Sequence, residues 1–103
     1  MAILVWSTPQ LVAPTNAITG WPADAVRGRS ADLLFTPQDI AAGQPGQEAR
    51  RALEQGRADD RRWHVRRDGA RFFADGVMVP LRDEAGVHVG FAKIIRDATV
   101  EKL

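Results

Sequence analysis

There is no cysteine in the 103 residues. Disulfides, thiolate metal sites, cysteine nucleophiles and thiol-linked chromophores are therefore excluded. Long apolar runs are missing too. The longest, Ala2 to Trp6, falls far short of the roughly 20 residues a helix needs to cross a bilayer, and no basic segment precedes it. Neither a membrane contact nor a secretion signal is expected, and the chain reads as cytoplasmic. No segment repeats at a fixed period, and no low-complexity stretch occurs. Catalytic signatures are equally scarce: there is no Walker loop, no dinucleotide fingerprint, no His-x-x-x-His spacing for a metal, and no serine beside a histidine–acid motif. The carboxylates read as surface groups, so no enzyme and no metal site are expected. A large excess of one charge is also lacking, with a formal net charge of +1.

What is present is an ordinary globular composition, 45% hydrophobic and 26% charged, in enough chain for one domain. A domain of this size buries roughly two thirds of the surface its unfolded chain exposes, so one core forms without covalent staples. Arginine is unevenly placed: Arg61, Arg62, Arg66, Arg67 and Arg71 crowd one stretch, interleaved with Asp59, Asp60 and Asp68. The interleaved acids favour a solvated strand over a nucleic-acid surface.

Breakers and periodicity give the organisation. Ala2 to Trp6 reads as a strand stopped at Ser7-Thr8-Pro9, and Leu11-Val12-Ala13 as a second strand ended by Pro14. Gly20, Pro22 and Gly28 cut the next stretch into pieces too short for a long helix. Pro22 to Val26 suits a helical turn, and Ser30 offers an N-cap for another short helix. The best helix spans Pro45 to Gln55 and stops at Gly56, with Ala49, Ala52 and Leu53 on one face. From Asp60 the period becomes two. Arg61 to Arg67, Arg71 to Arg82 and Val87 to Arg96 read as strands joined by turns at Arg67-Asp68-Gly69-Ala70 and Asp83-Glu84-Ala85-Gly86. Two strands, a helical crossing and a three-strand meander predict an α+β domain with a five-stranded antiparallel sheet and small helices on one face.

The succession Arg61-Arg62-Trp63-His64-Val65-Arg66-Arg67-Asp68-Gly69, Arg71-Phe72-Phe73-Ala74, Pro80-Leu81-Arg82-Asp83 with Gly86, Gly90-Phe91 and Arg96-Asp97-Ala98-Thr99 resembles the last three strands and Asp-x-Thr junction of a PAS domain. Thr19-Gly20-Trp21-Pro22, Val26-x-Gly28-Arg29 and Leu34-Phe35-Thr36-Pro37-Gln38-Asp39 resemble the small-helix region of the same family. The segment around residues 7–20 is shorter than the family pattern. The resemblance implies a sensor and dimerisation domain over residues 1–97, with residues 98–103 starting a signalling helix toward an effector. The parent would be a signal-transduction protein such as a sensor histidine kinase, and the domain itself would do no chemistry.

The resemblance also implies which side chains face the helices. The inward set is Arg62, His64, Arg66, Phe72, Ala74, Gly76, Met78, Phe91, Lys93 and Ile95, the candidate ligand cavity. The outward set is Trp63, Val65, Phe73, Val77, Val79, Leu81, Ala92 and Ile94. Flavin light sensors of this fold use a cysteine, two sheet asparagines and a glutamine. Here the cysteine is absent and the sheet positions look like His64, Ala74 and Ile95, so a cysteine-linked flavin is not expected. Haem-binding relatives usually ligate iron through a histidine on the long helix, which has none here, and a coumaroyl chromophore needs a cysteine. The cofactor is therefore unknown. His64 with Arg62, Arg66 and Lys93 offers donors to a small anion; the alternatives are a hydrogen-bonded structural histidine and a lysine reaching past the sheet edge. Ala74 and Gly76 either leave room for a ligand or allow close packing.

An apolar outer face is unusual on a sheet with helices on one side only. It predicts a cover, either the same face of a second copy or a flanking helix, and the competing reading is that these residues pack under the chain's own N-terminal segment. Asp97 and Thr99 mark the exit, where Thr99 suits a helix cap and Asp97 suits an arginine partner. Competing readings are an interaction module that binds no small molecule, its core filled by Met78, Phe72, Phe91 and Leu53, and nucleic-acid binding through Arg61 to Arg71.

Overall fold

The computed structural model describes residues 2–7, 10–11, 18–21 and 32–103. The expected turn at Pro22 to Val26 and the Ser30 cap lie outside these residues, as do Val12 and Ala13 of the second expected strand. The described elements are β1 (Ala2–Ser7), β2 (Gln10–Leu11), α1 (Pro37–Ala41), α2 (Gln44–Gln55), β3 (Ala58–Val65), β4 (Arg71–Arg82), β5 (His88–Asp97) and α3 (Thr99–Lys102). The strands form one antiparallel sheet in the order β2-β1-β5-β4-β3, so the first strand enters beside the last. The expected α+β architecture with five antiparallel strands is the one observed.

Local chemistry explains the elements. Thr36 caps α1 by accepting the Asp39 amide at 3.1 Å, and Pro37 fills the first helical position, where no N–H is needed. α2 ends at Gly56, whose φ of 84° is a left-handed cap that favours glycine. β4 runs from Arg71 to Arg82 as the periodicity requires. Asp83 builds the next turn, its Oδ1 accepting from the amides of Ala85 and Val87 at 2.9 Å.

β3 begins earlier and ends earlier than expected. Ala58, Asp59 and Asp60 pair with Met78, Val77 and Gly76, whereas Arg66 already belongs to the turn, its amide donating to Ala70 O. The acidic pair resembles a strand breaker, but one of its members points into the domain. β3 is the sheet's outer strand, and residues 33–36 run along it. Val65 N donates to Leu34 O, and Phe35 bridges to His64, which shields an edge that would otherwise invite pairing.

The core lies between sheet and helices. Leu34, Ala52, Ala58, Phe72, Ala74, Met78, Phe91 and Ile95 form one buried cluster. α2 meets it differently from its expected apolar face: Leu53 is 41% exposed, and the buried residues of the helix are Glu48 and Ala52. Leu53 therefore does not close the core. An i,i+4 pair of a glutamate and an alanine faces the sheet because the interior supplies a charge partner there.

Gly76 is fixed by packing. A Cβ at this position would lie 2.5 Å from Ile95 Cγ2 and 2.6 Å from Ile94 O, so the space is taken by β5 and is not open for a ligand. Gly76→Ala is expected to cost about 1–3 kcal/mol or more through overpacking. Gly46→Ala, on α2 with nothing within 4 Å of the added carbon, is expected to gain about 0.5–1 kcal/mol. Urea unfolding checks both. Equal midpoints for Gly76→Ala and the parent chain would contradict the close approach.

Candidate functional site

Four ionisable side chains meet in the interior. Glu48 comes from α2, Asp60 and His64 from β3, and Lys93 from β5; none is more than 1% exposed. Strand alternation sends Ala58, Asp60 and His64 inward on β3 and Phe91, Lys93 and Ile95 inward on β5. β3 and β5 are separated by β4, so a contact between them spans two strand spacings, roughly 9–10 Å. Gly76 pairs with Asp60 on one side and Ile95 on the other, and Ala74 is its inward neighbour on β4. Lys93 stands opposite Met78 and Asp60 opposite Gly76, so the missing side chain at Gly76 is what lets the two meet over the middle strand.

The geometry is that of one cation shared by two carboxylates. Lys93 Nζ lies 2.8 Å from Glu48 Oε1 and 2.9 Å from Asp60 Oδ2. Both are ion-pair contacts bent away from good hydrogen-bond alignment. The same Asp60 Oδ2 is 2.6 Å from His64 Nε2, and Asp60 Oδ1 accepts from Arg62 Nε at 2.8 Å. Arg62 also approaches Asp39 of α1, 3.5 Å away. Among the described residues, Glu48 Oε2 and His64 Nδ1 have no hydrogen-bond partner. Aromatic faces complete the enclosure: Lys93 Nζ sits 4.4 Å from the Phe35 ring centroid, and Phe35 meets His64 edge-on at 4.8 Å.

This arrangement sets the protonation states. Burial, with the Asp60 charge, raises the Glu48 carboxyl to about 7 against the opposing pull of Lys93. Burial also opposes ionisation of Asp60, but the His64 hydrogen bond and the Lys93 charge outweigh it and hold that carboxyl far below its ordinary value. His64 is pushed down by burial, against the pull of Asp60, so it stays neutral and donates from Nε2.

A second polar cluster sits at the exit of β5. Arg66 donates to Asp97 Oδ2 at 2.8 Å and to Ile18 O, and its guanidinium stacks 4.7 Å from the Phe72 ring. Asp97 Oδ1 accepts from the Thr99 amide at 2.9 Å and hydroxyl at 2.5 Å, and the Thr99 hydroxyl accepts from Phe73 N at 2.9 Å. The Thr99 hydroxyl, helped by Arg66, holds the Asp97 carboxyl below its ordinary range despite partial desolvation. The expected arginine partner of Asp97 is thus Arg66. Thr99 is not the cap residue itself, because Ala98 occupies that position and Thr99 begins α3. Its hydroxyl ties the helix start to β4 instead.

The inward candidates divide. His64, Phe72, Ala74, Met78, Phe91, Lys93 and Ile95 are buried, while Arg62, Arg66 and Gly76 are half-buried. Lys93 does not reach past the sheet edge, because two carboxylates hold its head inside. Those carboxylates correct the expectation of surface-like acids: Glu48 and Asp60 are fully buried. Sequence offers one sign of this, an acidic residue at an inward strand position opposite a glycine. Nothing comparable marks Glu48. On the other face, Trp63, Val65, Phe73, Val77, Val79, Leu81 and Ala92 are half-buried and Ile94 is 36% exposed. Arg61, Arg67 and Arg71 are exposed, as a solvated strand requires.

A single antiparallel sheet with β1 set between β2 and β5 and helices over one face defines an α+β domain whose last strand is tied down at its exit. The family model for the PAS domain matches residues 14–100. The chain belongs to the PAS domain family. It is 36% identical over 90 residues to two-component system protein A of Emericella nidulans, a match that takes in 87% of this chain and 13% of that protein. The chain thus spans about an eighth of the length of that relative. Among solved structures, the PAS domain of a Colwellia psychrerythraea protein superposes with a TM-score of 0.85 at 21% identity, covering 96% of this chain and 86% of that one. A blue-light activated histidine kinase of Erythrobacter litoralis gives 0.75 at 20% identity, covering 95% of this chain and 33% of that one. At these identities the structural likeness establishes the fold. Together with the two-component relative, the family makes this a signalling module.

Lys93→Met leaves Glu48 and Asp60 without their shared cation and is expected to destabilise by about 3–5 kcal/mol in urea unfolding. Arg61→Ala, on the exposed face, should stay within about 0.5 kcal/mol of the parent. An unchanged midpoint for Lys93→Met would show that the cluster contributes nothing. The pH dependence has opposing parts. Folded Glu48 keeps its proton up to about pH 7, whereas an unfolded one releases it near 4.5, so its contribution to stability is full below 4.5 and is lost as pH rises to 7. Folded His64 stays neutral, whereas unfolded histidine gains a proton below about 6.5, so its contribution falls on acidification. As pH falls from about 6.5 the two contributions oppose each other in the parent, so Glu48→Gln, which keeps only the His64 part, should lose stability on acidification more steeply than the parent. Identical profiles for the two chains would refute the assignment.

Proposed function

We propose that this chain is a non-catalytic sensory and dimerisation module of a larger cytoplasmic signal-transduction protein, working as a homodimer through the outer sheet face. The observation that carries the reading is the apolar row Trp63, Phe73, Val77, Val79 and Leu81 on the face away from α2, half-buried within one copy, with Ile94 more exposed beside it. A sheet with one covered face normally turns polar residues outward. Trp63 and Phe73 pack edge-on at 5.4 Å, so the patch is ordered as well as apolar. A second copy offers the same surface, and an isologous contact buries both.

The exit supports a relay toward an effector domain. Asp97 and Thr99 fasten the end of β5 to β4 and Arg66, and Lys102 Nζ lies 4.9 Å from the Phe73 ring on the proposed dimer face. A change in pairing at that face therefore reaches the start of α3. The two-component relative favours a histidine-kinase type of parent.

A small-molecule input is the second reading, favoured by the orphaned Glu48 Oε2 and His64 Nδ1. These atoms suit a neutral polar ligand better than an anion, because Lys93, Arg62 and Arg66 are already engaged by Glu48, Asp60, Asp39 and Asp97.

Native mass spectrometry and analytical ultracentrifugation test both readings. The expected result is a dimer for the parent chain and a folded monomer for Val77→Asp and Val79→Asp, checked by circular dichroism. Variants that stay dimeric, or a parent that sediments as a monomer at tens of micromolar, would place the working surface elsewhere. A co-purifying small mass lost in His64→Ala would establish the ligand reading.

A further inference from the structure

We infer that Glu48 is a proton-controlled latch: loss of one proton from its carboxyl sets a second buried negative charge beside Asp60, with one lysine shared between them, and releases α2 from the sheet. The latch is independent of the dimer face, which lies on the other side of the sheet.

The geometry makes α2 unusually dependent on this contact. Its only buried residues are Glu48 and Ala52, with Ala49 packed partly against the core. Two alanines bury little area, so among the described residues the carboxyl reaching down to Lys93 is a principal tie between the helix and the sheet. The charged groups against Glu48 are Lys93 from β5 and Asp60 from β3. Behind Asp60 stand His64 and Arg62, both on β3, and Asp39 of α1 lies beyond Arg62. With Glu48 protonated, Lys93 and Arg62 balance Asp60 and Asp39. With Glu48 ionised, the group carries one uncompensated negative charge inside the domain, and Glu48 Oε2 has no donor to receive it.

The sign follows from linkage. Lifting α2 returns Glu48 to water and to its ordinary acidity, so opening is accompanied by proton release and is favoured as pH rises through about 7. His64 is neutral on both sides of this window and remains on the sheet when the helix lifts, so it does not mask the effect. Physiological pH lies at the upper end of the range between 4.5 and about 7, which makes α2 a segment whose attachment tightens on acidification.

Two measurements on the intact chain decide the matter. Carbon-13 detected titration of glutamate carboxyls should give Glu48 a midpoint near 7. Hydrogen exchange, corrected for intrinsic rates, should show α2 amides opening about fourfold more at pH 8.5 than at 6.5, with β4 unchanged. Glu48→Gln, permanently neutral, should hold α2 equally at both pH values. A Glu48 midpoint below 5, or α2 protection that does not change across the window, would overturn the latch even if the variant does not fold.

Discussion

A lysine head group buried to 1% exposure is tolerated only when its charge is answered on the spot, and Lys93 is answered from two layers at once. Asp60 reaches it across β4 and Glu48 reaches it from α2. That single requirement orders much of the domain. The helix must lie over β3 and β4 with Glu48 reaching the head of Lys93, β4 must be small at Gly76, and β3 must begin early enough to carry an inward aspartate. Apolar packing from Phe72, Leu34, Met78 and Ile95 surrounds the ion pairs and supplies the water exclusion that makes them matter.

The two faces of the sheet have different tasks. The inner face is closed by helices, aromatic rings and a polar cluster whose protonation depends on burial. The outer face carries an apolar row that is half-buried among the described residues, with Ile94 36% exposed beside it, and this is the surface proposed to meet a second copy. Between them runs the end of β5, where Arg66, Asp97 and Thr99 make a small rigid junction. Arg66 touches the inner ring of Phe72 and the exit carboxylate of Asp97, and so joins interior to exit.

Membership of the PAS family and the identity to a two-component protein make this domain a signalling part, and the structural likeness establishes its fold. The individual character of this chain lies in what fills the interior. Relatives that sense light through flavin need a cysteine, and the sequence has none. Its interior holds Glu48, His64 and Asp60 around Lys93, with contacts of 2.6 to 2.9 Å.

Period-two alternation and turn chemistry determined the meander, because those signals are local: Asp83 folds back on its own neighbours, and Arg71 to Arg82 alternates along its length. The same alternation, oriented by the family resemblance, placed His64, Phe72, Met78, Phe91, Lys93 and Ile95 inside. The roles of Glu48 and Asp60 were decided only in three dimensions. A carboxylate on a charged helix, or one beside arginines, has the sequence signature of a solvated surface group. Its burial is set by a partner 45 residues away in the case of Glu48 and 33 away in that of Asp60. Charge pairing across layers leaves no periodic trace, so the face of α2 that meets the sheet could be known only once Lys93 was in place beneath it.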